Sequence, residues 1–130
     1  MSELNCSDRV KDAWKGRKSD LKKCLYDPSE EYDICEYGLG FNYVPKEGKS
    51  KDYFRYQLSW GGPSDELRMY EGSKTVYVFM DWFDGAEMRV TKSKVIKDLR
   101  EWFSEAGMLD FQSKRDAEDY CNTFPSGVYS

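Results

Sequence analysis

The side chains best suited to chemistry in this sequence are the carboxylates of Asp65, Glu66, Asp81 and Asp84, with Glu36 upstream, set beside Trp60, Trp82 and Phe83. Clustered carboxylates are oxygen ligands for a hard cation such as Mg²⁺ or Mn²⁺, which could activate water to hydrolyse nucleic acid or a nucleotide. The spacing argues against that use. Neither Asp-x-Asp-x-Asp nor Glu-x-Lys with an upstream Asp stands in a suitable context, and Asp81-x-x-Asp84 straddles a turn that can place its two acids on different sides. The other use is recognition, because acids supply steering and pairing with Arg or Lys, and indoles supply rigid apolar anchor area.

The chain contains no His. That removes the Ser-His and Cys-His nucleophile arrangements and the commonest general base. It also removes the usual ligand of zinc and haem, and Cys6, Cys24, Cys35 and Cys121 show no Cys-x-x-Cys spacing. Reduced, mostly buried thiols are expected. The reading is therefore of a protein that is not an enzyme and needs no cofactor or metal.

The elements that position these residues follow from periodicity. From Ser7 to Tyr26, Val10, Trp14, Leu21 and Leu25 recur at helical spacing among basic residues, and Asp27-Pro28 ends the helix. The middle of the chain reads as strands. Tyr37, Leu39, Phe41 and Tyr43 alternate with small or polar residues, as do Phe54, Tyr56, Leu58 and Trp60. Val76 to Phe83 is apolar on both faces, as suits a central strand, and Leu67 to Glu71 and Glu87 to Thr91 are shorter candidates. A second amphipathic helix spans Ser93 to Ala106, stopped by Gly107, and a third opens at Ser113 and ends before Pro125.

At 130 residues, 39% hydrophobic and 16% aromatic, residues 1–130 read as a single α+β domain. The expected architecture is an antiparallel meander of four to five strands packed with an N-terminal helix and two C-terminal helices. A meander places the Trp60–Glu66 connection and the Asp84-Gly85 turn, a type I′ signal, at one end of the sheet, with the start of strand one around Asp33 and Glu36. Turn chemistry alone accounts for Gly61, Gly62 and Pro63.

Charge is spread in blocks. Residues 1–23 carry seven Lys or Arg against four Asp or Glu, residues 24–44 carry none against five, and residues 59–91 carry three against six. The basic helix mixes its signs through Asp8, Asp12 and Asp20 and lacks interleaved aromatics, so no direct nucleic-acid contact is expected. No apolar run has the length of a membrane span or an export signal, so no membrane partner and a cytoplasmic location are expected.

At "YQLSWGGPSDELR" and "MDWFDGAEMRV" the chain resembles a group of small bacterial proteins carried on phages, plasmids and related mobile elements. The resemblance covers Tyr53 to Phe103, and the basic N-terminal helix and the segment from Gly107 have no counterpart in it. What it implies is a setting in which small proteins without catalytic motifs inhibit host defence, as anti-CRISPR and antirestriction proteins do. The combined expectation is a non-catalytic inhibitor that binds a host protein or nucleoprotein effector complex through Trp60, Asp65, Glu66, Asp81, Trp82 and Asp84. The alternatives are a metal-dependent hydrolase at the same carboxylates and a plain adaptor domain.

Overall fold

The computed structural model of the protein describes residues 6–27, 34–61, 63–81 and 84–123. The chain runs through α1 (Cys6–Tyr26), a short α2 (Ile34–Tyr37), five strands and two further helices. The strands are β1 (Gly40–Val44), β2 (Tyr53–Ser59), β3 (Ser64–Met69), β4 (Thr75–Met80) and β5 (Gly85–Arg89), followed by α3 (Lys94–Glu105) and α4 (Phe111–Thr123). All neighbours pair antiparallel in the order β1-β2-β3-β4-β5, which is the expected α+β meander. Among the described residues no helix is long and apolar enough to cross a membrane.

Register lines up Phe41, Tyr56, Leu67, Tyr77 and Met88 across one face of the sheet. The helices pack on that face. Trp14 of α1 lies 5.2 Å from the Tyr77 ring, Phe103 of α3 stacks 4.3 Å from Phe41, and Phe111 of α4 meets Phe54 edge-on at 4.8 Å. Aromatic pairs at these separations add to plain area burial, so an aromatic-rich chain gains a well-specified core. On the opposite face Val76, Val78, Gln57 and Glu66 are also buried, which explains why β4 reads as apolar on both sides.

An arginine from each of the three long helices fastens it to the sheet. Arg17 reaches Asp65, Arg100 reaches the β3–β4 turn, and Arg115 makes a two-pronged pair with Asp52 at 2.8 and 3.0 Å. Arg115 and the Tyr43 hydroxyl hold the Asp52 carboxyl below its ordinary range, although burial opposes them. The end of α3 is a Schellman motif: Gly107 takes φ 76°, its N–H donates to Ser104, and the Met108 N–H donates to Phe103.

Several boundaries differ from expectation, each for a local reason. Tyr37 belongs to α2 and not to strand one, because the chain then passes so close over Tyr56 that a Cβ on Gly38 would lie 2.1 Å from its ring. β3 begins at Ser64, so Asp65 and Glu66 are strand residues rather than loop residues. The register shifts between Gln57 and Ser59, and Gly61 at φ 94° completes the tight reversal. Gly85 pairs with Met80 as the first residue of β5 and is not among the positive-φ glycines, so Asp84-Gly85 is not a type I′ turn. Asp110, not Ser113, caps α4 by accepting the Ser113 N–H at 3.0 Å.

Candidate functional site

The β2–β3 and β4–β5 connections lie at the same end of the sheet, since Ser64 pairs with Met80 and Ser59 with Asp65. The start of β1 lies there too, with Gly40 opposite Gln57 and the Leu39 N–H donating to the Gln57 carbonyl at 2.8 Å. This is the arrangement the meander predicts. What it exposes differs from the expected acidic rim.

Asp65 is only 3% exposed and sits on the helix-facing side of β3, in register with Leu67 and Met69. Arg17 donates to both of its oxygens, from Nε at 2.7 Å and Nη2 at 2.9 Å. The hydroxyls of Tyr77, at 2.5 Å, and Ser59 donate to it as well. Burial pushes this carboxyl up, but the Arg17, Ser59 and Tyr77 hydrogen bonds outweigh it and hold the group below the ordinary carboxylate range. Arg17 also donates to the Tyr37 hydroxyl at 2.9 Å, and Tyr37 donates to Asp20 at 2.7 Å. Burial pushes Tyr37 up to about 12, with Arg17 opposing and Asp20 assisting. The result is one polar network that ties α1, α2, β2, β3 and β4 together beneath the connections.

Glu66 is 2% exposed and pairs with Arg68 at 2.8 Å on the opposite face of the sheet. Successive strand residues point to opposite faces, so Asp65 and Glu66 cannot share a cation or one partner surface. Asp81 pairs with Arg9 at 2.5 Å, whose guanidinium lies 5.0 Å from the Phe79 ring centroid. Asp84 is exposed and accepts the Gly85 N–H at 2.8 Å. Among the described residues no group of three or more His, Cys, Asp or Glu is placed to hold a metal ion. Trp82 lies outside the described residues.

Asp65 and Glu66 are therefore corrected from contact residues to interior ones, their charges matched by arginines from the same chain. Asp81 is matched in the same way at an intermediate depth. Trp60 stands as expected, 63% exposed, and beside it the structure adds Leu39 at 53%. A cavity of about 310 Å³ bordered by Gly16, Arg17, Ser59, Pro63 and Phe79 adjoins the Trp60 connection. Leu39 was expected to face inward with Phe41; the chain's passage over Tyr56 leaves it outside. The arginine partners were also missed, although Arg17 falls within the apolar stripe of Val10, Trp14 and Leu21 and so demanded a buried acid. Compared with known proteins, the chain matches no family model, no curated protein and no solved structure.

Proposed function

We propose that the protein works by stoichiometric binding, with the sheet end that carries Trp60 and Leu39 as its docking surface. The observation that carries this reading is the exposure of those two large apolar side chains at one rim, on a backbone held by the Arg17–Asp65 network. Exposed anchors on a rigid support lose little conformational freedom on association, and Trp is favoured at interface hot spots. The cavity beside Ser59 and Pro63 gives the partner a recess to fill. Asp84 and Glu36 are exposed, and they supply charge at the margin of the contact.

The resemblance at "YQLSWGGPSDELR" and "MDWFDGAEMRV" directs the choice of partner: a host-defence nucleoprotein complex of the CRISPR or restriction type, met in the cytoplasm and inhibited without chemistry. The hydrolase alternative finds Asp65 and Glu66 on opposite sheet faces and three of its four acids, Asp65, Glu66 and Asp81, paired with Arg17, Arg68 and Arg9. The test is a pull-down from lysates of bacteria carrying such systems, comparing the natural chain with a Leu39→Ala, Trp60→Ala variant of unchanged melting temperature. The expected result is a defence effector retained by the natural chain at moderate salt and lost by the variant. Equal retention by both would sink the docking surface. Retention of an enzyme unconnected with defence would make the protein an adaptor using the same surface.

A further inference from the structure

The signs that alternate along α1 in sequence are sorted in space by the helix. At about 100° per residue, Lys11, Lys15, Lys18 and Lys22 fall within an arc of about 60° and extend over about 16 Å of axis. Asp12 and Asp20 lie about 90° and 170° from the middle of that arc, and Asp8 lies at its N-terminal border. Asp20 is turned to Tyr37 on the side of the Asp65 network. Lys11, Lys15 and Lys22 are exposed and Lys18 is half-buried.

Among the described residues none of these four lysines forms an ion pair, whereas Arg9 and Arg17 on the same helix both do. Like charges three and four residues apart on a helix repel, and the stripe contains three such pairs in succession. The fold therefore maintains an unfavourable row of charge that no acid among the described residues neutralises.

We infer that the lysine stripe of α1 is a contact site for the phosphate backbone of nucleic acid. Lysine is a compact point charge suited to backbone phosphates, and the arc carries no Arg fork for reading base edges and no ring for stacking, so the contact is independent of sequence. A bilayer surface fits poorly. Interfacial helices insert an apolar face, and here that face is sealed in the core through Val10, Trp14 and Leu21. The inference is independent of the Trp60 docking surface, from which the stripe is separated by the Arg17 and Asp20 side of α1.

The test is fluorescence anisotropy of a labelled 20-base-pair duplex and of a single strand of equal length, titrated between 50 and 200 mM salt. Four phosphate contacts predict a slope of log K against log salt of about −3.6 for the duplex and −2.8 for the single strand, or about a 150-fold loss for the duplex over that range. The lower Kd at a common salt concentration identifies which form is preferred. K11Q/K15Q/K18Q/K22Q should lose binding at least about tenfold at 50 mM salt and flatten the slope. Gln matches Lys in helix propensity, so circular dichroism should be unchanged. K46Q/K49Q, in an exposed connection, should bind like the natural chain. Absence of binding at 50 mM salt, equal binding by the quadruple variant, or tighter binding to anionic vesicles or polyglutamate than to either nucleic acid would overturn the site.

Discussion

Arg17 and Arg100 fasten opposite ends of the sheet in two different ways. At one end Arg17 of α1 meets a carboxylate, Asp65. At the other, Arg100 of α3 donates to the carbonyls of Tyr70, Gly72 and Lys74 and to the Thr75 hydroxyl, at 2.6 to 2.9 Å, with no acid among its partners. Burial opposes the charge at Arg17, but Asp65 and Tyr37 more than offset it and raise its pKa, while burial alone lowers that of Arg100. The first clasp is a charge pair that neither partner can leave without stranding the other. The second is a set of neutral acceptors around an exposed turn, where water can replace the guanidinium.

That difference sets the order of expected losses. Asp65→Ala leaves the half-buried Arg17 without its carboxylate and the Tyr77 hydroxyl without its acceptor, and should destabilise the fold by about 3 kcal/mol, read from the midpoint of urea unfolding. A loss below about 1 kcal/mol would mean that the two clasps are equivalent and that the network is solvated in practice.

Acid tests the same pair by degrees. The folded Asp65 carboxyl lies below its unfolded value of about 3.9, so its contribution is complete above that value and is lost as pH falls through the folded pKa. Asp65→Ala should therefore flatten the acid limb of stability against pH. The slope that remains belongs in part to Asp52, which is depressed in the same sense by Arg115. At the alkaline limb Tyr37 contributes with the opposite sign: its folded pKa of about 12 exceeds the unfolded value of about 10, so stability declines as pH rises between them.

Arg100→Ala should cost less, about 1–2 kcal/mol, since the stranded carbonyls belong to a turn whose residues Glu71 to Lys74 are exposed. The local readout is faster amide exchange at Tyr70, whose N–H donates to the Lys74 carbonyl at 2.9 Å. If Arg100→Ala proves costlier than Asp65→Ala, the charge-pair argument fails.

The parts of this structure that could be read from sequence are those where one period dominates. Val10, Trp14 and Leu21 mark α1, Val95, Ile96, Leu99 and Phe103 mark α3, and the alternating rings of β2 point inward as expected. The failures lie where tertiary contact overrides period. Tyr37 and Leu39 continue the alternation of Phe41 and Tyr43, yet the Tyr56 ring occupies the space over Gly38 and displaces both from the strand. Trp60 is the exception: it continues the series Phe54, Tyr56 and Leu58 in sequence, and the shift between Gln57 and Ser59 leaves it in solvent, where a contact residue is expected to be. Asp65 was legible in principle, since it shares the inward register of Leu67 and Met69 just as Arg17 shares the stripe of Trp14. A Gly-Gly-Pro loop extended too far concealed the match. The lysine stripe was hidden differently, by counting signs along the chain instead of around the helix.

The smallest expected effect on stability is the most informative about binding. The end clasped by Arg17 leaves Trp60 and Leu39 in solvent, whereas the exposed residues of the turn clasped by Arg100 are Glu71, Gly72, Ser73 and Lys74. If the two apolar side chains served packing, the Leu39→Ala, Trp60→Ala variant would lose several kcal/mol, as buried Leu and Trp do on truncation. Exposed as they are, the variant should unfold within about 0.5 kcal/mol of the natural chain. A much larger loss would make them structural and remove the observation on which the docking surface rests. An unchanged midpoint leaves about as much folded protein in either case, so any difference in partner retention reports the contact itself.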